Sequence, residues 1–218
     1  MKGLQFAGGN RPLSILCFGA HSDDIEIGLG GTILTLIETN ADLEVYWCVC
    51  SASGKRADEA EASANAFIGN GARQHLEFGN FEDSYFPSQS PQIKQWMVDI
   101  RARTTPDVVF THTRDDAHQD HREVCELTWN VFRDQLILEY EIPKWDGDVG
   151  RPNMYSPISR EHMDRKIDLL ETHFGSQRSK DWFDDELFRG LARIRGMECR
   201  APDRYAEGFY MRKGMLAF

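Results

Sequence analysis

The sequence alternates short apolar runs with longer segments of helix-forming residues, and this alternation limits the possible folds more than any other feature. The runs at residues 13–18, 43–50 and 107–111 are rich in Val, Ile, Cys and aromatic residues, which favour strands. A segment with apolar residues at helical spacing follows the first run, at residues 27–38. Strand–helix–strand order is typical of parallel α/β proteins. We therefore predict an α/β fold with a Rossmann-like, mostly parallel sheet flanked by helices.

The same patterns place the other elements along the chain. Strands are predicted at residues 13–18, 43–50, 75–78, 107–111, 136–142 and 205–210. Helices are predicted at residues 27–38, 57–68, 92–104, 120–132, 159–174 and 184–195. Residues 143–158 show neither pattern, and we predict a specificity loop or lid there. A chain of 218 residues suits a single domain, which we predict over residues 1–218.

The composition narrows the functional class. The net charge of −10 argues against broad nucleic-acid binding, because the chain would repel phosphates. No stretch approaches the roughly 18 consecutive apolar residues of a membrane helix, and residues 1–12 lack the apolar core of a secretory signal. We therefore expect a cytoplasmic protein without a transmembrane segment. The five cysteines include no C-x-x-C pair, and the three that lie in predicted strands are expected to be buried, free thiols with a structural role.

Two clusters of histidine and aspartate directly follow predicted strands. They lie at residues 19–26 (GAHSDDIE) and 112–121 (HTRDDAHQDH), and a small-residue loop at residues 51–56 follows a third strand. Ligands of an open parallel sheet bind outside the carboxyl ends of its strands, so we expect these three segments to converge on one crevice. Catalytic zinc takes about three His or carboxylate ligands and keeps an open position. A mixed set from the two clusters therefore predicts a catalytic metal site.

The two clusters also allow other interpretations. Ser22, Asp23 and Asp24 are residue types that commonly cap a helix, and residues 112–121 have the composition of a solvated loop. A phosphate site is disfavoured, because the glycines of residues 19–31 do not form G-x-G-x-x-G and the adjacent carboxylates would repel a pyrophosphate. The presence of two such clusters at equivalent strand ends favours the metal site.

Four segments carry a resemblance to a known family. Residues 20–28 (AHSDDIEIG) and 116–122 (DAHQDHR) resemble the two signature motifs of the PIG-L/LmbE-like zinc-dependent N-acetylglucosaminyl deacetylases. Residues 173–177 (HFGSQ) and 206–209 (AEGF) resemble further segments of the same family. The resemblance extends over about residues 13–210 and implies a single LmbE-like deacetylase domain.

The resemblance implies a metal-dependent hydrolase that removes the N-acetyl group from a GlcNAc-type sugar conjugate, releasing acetate and a free amine. Its metal ligands would be His21, Asp24 and His121, and the expected cofactor is Zn²⁺. Other divalent ions such as Fe²⁺ are left open, because His and carboxylate ligands do not select zinc. The expected partner is a small-molecule amino-sugar conjugate, and the sequence leaves open whether the protein forms homo-oligomers.

The resemblance also implies roles for neighbouring polar residues. Asp23 would act as the general base, and a protonated His118 would stabilise the oxyanion. Asp120 would orient His118 and favour its charged form. Arg56, in the loop after the second strand, is expected to bind the substrate. Two alternatives stay open: a metal-dependent amidase acting on a non-sugar N-acyl substrate, and a non-catalytic α/β module that binds carbohydrate or nucleotide.

Overall fold

A computed structural model describes residues 3–4 and 11–215 of the chain. Most of residues 1–12, for which the sequence predicts no secretory signal, lies outside the described residues. The strands are β1 (Leu13–His21), β2 (Leu43–Ser51), β3 (Arg73–Phe78), β4 (Val108–His112), β5 (Leu136–Tyr140), β6 (Met154–Ile158) and β7 (Tyr205–Met211). The helices are α1 (Asp24–Thr39), α2 (Lys55–Ile68), α3 (Ser90–Arg101), α4 (Gln119–Val131), α5 (Arg160–His173) and α6 (Asp185–Cys199).

The strands form one sheet in the order β3-β2-β1-β4-β5-β7-β6. The first five are parallel to one another, whereas β7 runs antiparallel to β5 and β6 antiparallel to β7. This arrangement confirms the predicted Rossmann-like, mostly parallel α/β fold. From β1 the chain adds β2 and β3 on one side, and then returns to add β4 and β5 on the other side of β1. Open α/β sheets bind their ligands at the point where the strand order reverses in this way, which here lies between β1 and β4.

Helices cover both faces of the sheet. In β1, Ile15 and Cys17 pack in the cluster that includes α1, α2, α5 and α6, whereas Leu16 and Phe18 pack in the cluster with α3 and α4. Burial on both faces explains why β1 is a continuous apolar run rather than an alternating one. All five cysteines are buried and unpaired, which confirms the prediction for the three in strands and extends it to the other two. In the described part of the chain, no helix combines the length and apolar character needed to cross a membrane.

The prediction of a loop at residues 143–158 is wrong for the last five residues, which form β6. Met154–Ile158 pairs with β7 along the edge of the sheet, and an edge strand tolerates Pro157 because one side of its backbone needs no partner. Helix α1 also differs from its prediction, since it begins at Asp24 rather than at residue 27. The irregular part of the predicted loop is therefore limited to residues 143–153.

Helix α1 is interrupted at Leu29, whose φ of −146° and ψ of 15° are not helical. Two buried side chains, Lys166 of α5 and Glu207 of β7, meet at the break and pair at 2.7 Å. The Lys166 ammonium donates to the carbonyl oxygen of Ile27 (2.7 Å). The Glu207 carboxylate accepts from the N–H of Gly31 (2.9 Å). The ion pair thus replaces helical hydrogen bonds, and each charge lies at the helix end that its sign stabilises.

We expect Glu207→Leu to lower the free energy of unfolding by about 3–5 kcal/mol, because it leaves the Lys166 ammonium buried without its partner. Urea denaturation of the variant and the parent protein measures the change. The control is Asp42→Asn, which breaks the exposed Arg73–Asp42 pair (2.8 Å) and should cost less than about 1 kcal/mol. Equal losses in the two variants would contradict a structural role for the buried pair.

Candidate active site

The polar clusters that follow β1 and β4 meet at the carboxyl edge of the sheet. His21 ends β1, and His121 lies in the first turn of α4; their nearest ring nitrogens are 3.2 Å apart. Arg56, which follows β2, reaches the same place and pairs with Asp23 at 2.9 Å. The predicted convergence of three segments, separated by tens of residues in sequence, is confirmed by these contacts.

Three atoms at the centre of this cluster have the spacing of metal ligands. His21 Nδ1 lies 3.4 Å from Asp24 Oδ2 and 3.2 Å from His121 Nε2, and the last two atoms are 3.6 Å apart. Zinc–ligand bonds of 2.0–2.1 Å in a tetrahedron imply ligand–ligand distances of about 3.4 Å. The spacing of the predicted trio therefore fits three side chains that would hold one zinc ion.

Other combinations of side chains here also bring ligand atoms within 4.8 Å of one another. They are His21 with His118 and His121; Asp24 with His112 and His121; and His21 with Asp83, His118 and Asp120. His112 is less available to a metal, because the N–H of Ala20 donates to its Nε2 (3.0 Å). Sequence reasoning missed Asp83, which lies in a polar loop that carries no motif.

Gly28 of the first motif leaves space for the ring of Tyr140, which contacts His112. The hydroxyl of Tyr140 donates to the carbonyl oxygen of Phe18 (2.6 Å) and lies 3.2 Å from His112 Nε2. Its ring passes so close to Gly28 that any Cβ at this position would overlap it. Gly28 therefore serves close packing beside the histidine–aspartate cluster, as the absence of a phosphate-binding glycine pattern suggested.

Carboxylates fix the orientation of two histidine rings. Asp116 Oδ2 lies 2.9 Å from His121 Nδ1, and Asp120 Oδ2 lies 3.2 Å from His21 Nε2. In each ring, the nitrogen on the other side faces the centre of the cluster. A histidine that gives its second N–H to a carboxylate is oriented and made more basic as a metal ligand.

The prediction that Asp120 orients His118 is wrong. The Asp120 carboxylate makes its hydrogen bonds elsewhere: it lies against His21 and accepts from the backbone N–H groups of Ser84 (2.6 Å) and Phe86 (3.1 Å). Ser84 has a φ of 68°, a left-handed conformation that is costly for residues other than glycine and often occurs at functional sites. The loop before α3 thus holds Asp120 against His21.

His118 does not have the surroundings of a protonated imidazole, so this prediction is also wrong. It is the N-cap of α4, and its Nδ1 accepts from the backbone N–H of Asp120 (3.2 Å). Burial and the neighbouring His21 lower the pKa of His118. The ring is therefore neutral, with its proton on Nε2, from which it can donate a hydrogen bond.

The ionisation of two of the three proposed ligands, His121 and Asp24, suits metal binding. Burial lowers the pKa of the third, His21, but hydrogen bonds with Asp120, Asp24 and Asp83 outweigh it and raise that pKa well above its usual value. Burial and the nearby His112 lower the pKa of His121 to about 4, which keeps the ring neutral. Burial alone would raise the pKa of Asp24, but His121 and His112 outweigh it and hold that pKa well below its usual range. A neutral imidazole and an ionised carboxylate are the forms that bind a cation.

Asp23 lies at the N-cap position of α1, yet its side chain makes no capping hydrogen bond. Its Oδ1 accepts from Arg56 (2.9 Å), while Oδ2 is buried and has no hydrogen-bond partner among the described residues. Burial raises the pKa of Asp23, although Arg56 acts in the opposite direction. Capping therefore does not explain this residue, whose buried oxygen has the properties of a proton acceptor.

Lys144 is a further residue of the cluster that sequence reasoning missed. Its ammonium lies 2.8 Å from Asp116 Oδ1, and its side chain is only 8% exposed. The Asp116 carboxylate therefore contacts Lys144 through Oδ1 and His121 through Oδ2. No motif surrounds Lys144 in the sequence, and only the fold brings it to the second cluster.

We expect Asp116→Asn to weaken metal binding by about 10–100-fold, because His121 loses the carboxylate that orients its ring. Competition with a chromophoric chelator measures the affinity. Asp115→Asn is the matched control, since the side chain of Asp115 is exposed and pairs with Arg212 away from the histidines. Equal effects of the two substitutions would contradict this role of Asp116.

The sequence matches a known family and named relatives. The PIG-L family model, described as GlcNAc-PI de-N-acetylase, matches residues 16–132. YaiS of Escherichia coli, described as an uncharacterized deacetylase, is 30% identical over 173 residues that cover 75% of this chain and 92% of that protein. The diacetylchitobiose deacetylase of Thermococcus kodakarensis is 26% identical, with coverage of 95% of this chain and 86% of that protein.

A solved structure shares the fold at lower identity. GalB, the 4-carboxy-2-hydroxymuconate hydratase of Pseudomonas putida KT2440, has a TM-score of 0.74 and 19% identity, covering 94% of this chain and 98% of that one. Likeness at this level concerns the fold alone, because one fold can host unrelated chemistries. The family match spans more than half of the chain and contains both histidine–aspartate motifs. The chain therefore belongs to the PIG-L family.

Proposed function

We propose that the protein is a metal-dependent hydrolase that removes the N-acetyl group from a GlcNAc-type sugar conjugate, releasing acetate and a free amine. One observation carries the proposal: three ligand atoms at tetrahedral spacing lie beside a buried aspartate oxygen that has no partner among the described residues. The names of the two relatives, a deacetylase and a diacetylchitobiose deacetylase, support the reaction and the sugar class.

His21, Asp24 and His121 are the residues that would hold the metal, for which zinc is the first choice. Zinc bound there would polarise the acetamide carbonyl and lower the pKa of water to about 7. Two imidazoles and one carboxylate also suit Fe²⁺, so the identity of the ion is a matter for measurement.

Asp23 is proposed as the general base. Its free oxygen takes a proton from the attacking water and returns it to the departing amine, so that the amide C–N bond breaks and a C–O bond forms. The raised pKa of Asp23 favours this exchange, because a base works best when its pKa is closer to the operating pH. Arg56 holds the other carboxylate oxygen at 2.9 Å and keeps the free one in place.

His118 and Arg56 are proposed to contact the substrate. The neutral His118 donates from Nε2 to the oxygen of the acetamide carbonyl, where negative charge develops during attack. Arg56 uses one nitrogen for Asp23, and its remaining N–H groups are available to sugar hydroxyls. A module that only binds sugar would have no use for a buried proton acceptor beside the ligand trio.

The test combines metal analysis with an acetate-release assay. We expect about one metal ion per chain, loss of activity after chelation, and recovery when zinc or iron is restored. The substrate panel contains N-acetylglucosamine conjugates and N-acetyl amino acids, which separates a sugar deacetylase from a general amidase. A chain that binds no metal and stays inactive after both ions are added would refute the proposal.

A further inference from the structure

We propose that Trp145 forms a second sugar subsite beside the metal cluster, where it supports the pyranose ring linked to the acetamido sugar. This inference rests on the proposed function for the first sugar. It assigns the substrate class more narrowly, as an oligosaccharide of at least two rings rather than a single sugar.

The loop that carries Trp145 is anchored to the second histidine–aspartate motif on both sides of the tryptophan. The preceding residue, Lys144, pairs with Asp116 at 2.8 Å. Shortly after Trp145, Asp148 accepts from the backbone N–H of Ala117 (2.7 Å). The two residues contacted, Asp116 and Ala117, directly precede His118 in the chain. The loop tip that carries Trp145 is therefore held beside the second histidine–aspartate motif.

The indole of Trp145 is oriented but remains open to solvent. Its Nε1–H donates to Asp181 (2.7 Å), and its ring meets Trp182 at 5.9 Å and an angle of 79°. Even so, 66% of Trp145 is exposed. A large aromatic side chain with a fixed orientation and an exposed surface is suited to contact a ligand at little entropic cost.

Trp145 is also connected to Asp23 through a series of contacts that runs by way of the α5–α6 connection and helix α2. Asp181 and Trp182 belong to the connection between α5 and α6, in which Ser176 donates from its backbone N–H to Glu59 (3.0 Å). Glu59 lies one turn after Arg56 on α2, and Arg56 pairs with Asp23. The Trp145 side of the crevice is therefore linked to Asp23 in one direction and to His121 in the other.

The polar groups around Trp145 favour a sugar over an acyl chain. Asp181 accepts from the indole N–H, Asp146 is the next residue in the chain, and the Lys180 ammonium lies over Trp182 at 5.4 Å. A pyranose ring offers one face of C–H groups to an indole and a rim of hydroxyls to charged neighbours. A hydrocarbon chain at this place would remove water from the charged side chains without offering them hydrogen bonds, which is unfavourable.

The test measures binding in an Asp23→Asn background, loaded with zinc, so that the sugars are not consumed. Calorimetry gives the Kd of N-acetylglucosamine and of N,N′-diacetylchitobiose. We expect the disaccharide to bind about tenfold more tightly, the size of one aromatic contact. Trp145→Ala should remove this difference, and Trp145→Phe should retain most of it. Ile194→Ala, which alters an exposed apolar residue of α6, is the control and should change neither Kd.

Two results would overturn the subsite: equal affinity of the starting protein for both sugars, or an unchanged ratio of affinities in Trp145→Ala. Failure of the proposed function is seen separately, in the acetate-release assay of the protein with an intact Asp23. A disaccharide preference that depends on Trp145 supports the subsite even if that assay detects no acetate.

Discussion

Asp23→Asn should lower kcat by about 10²–10⁴-fold, the usual contribution of a general base, while leaving metal content unchanged. Asn has nearly the same shape as Asp and can still accept from Arg56, but it cannot take a proton from water. Asp23 is not one of the three atoms at ligand spacing, so its substitution leaves that trio intact. Acetate release and metal analysis on the same preparation measure the two effects.

Asp58→Asn is the control for this substitution, because Asp58 lies in the exposed part of the first turn of α2. It should retain full activity and full metal content. If Asp23→Asn lost its metal together with its activity, the separate roles of Asp23 and Asp24 would be refuted. If it kept full activity, another group would have to be the base.

His121→Ala should lose both the metal and the activity. It removes one of the three proposed ligand atoms, and a site with two protein ligands holds zinc far less tightly. The parent protein should gain about 2.7 kcal/mol of stability at a free zinc concentration 100 times its Kd, whereas the variant should gain none. Thermal unfolding with and without zinc measures this difference without reference to any substrate.

His75→Ala is the matched control, since His75 lies on the exposed edge strand β3 and pairs with Glu44. Its stability should respond to zinc as that of the parent protein does. A His121→Ala protein with the same zinc response as its parent would show that the metal lies elsewhere, and the set of His21, Asp83, His118 and Asp120 would then be the next candidate.

The sequence was sufficient to predict which side chains cluster wherever a side chain occupies a fixed place on a strand end. His21 and Asp24 follow β1, His121 follows β4, and parallel strands bring such ends to one edge. Asp83 and Lys144 could not be found in this way, because they lie in loops whose course depends on tertiary contacts. The sequence gives no period or motif for either residue.

Errors about Asp120 and His118 have a different origin. Two residues that are close in sequence were expected to pair, but neighbours at the start of a helix point in different directions. His118 turns its Nδ1 to the helix N-terminus, whereas Asp120 turns to the loop before α3. Spacing along the chain therefore predicted that these residues lie in one cluster without identifying their hydrogen-bond partners.

The interruption of α1 depends on residues that lie far from it in the sequence. The family match stops at residue 132, although Lys166 and Glu207, which complete the break, come from later segments. A fragment excised at that boundary would leave the amides of Gly31 and Thr32 without their carboxylate acceptor. The half of the chain that carries both signature motifs therefore depends on later segments for the shape of its first helix.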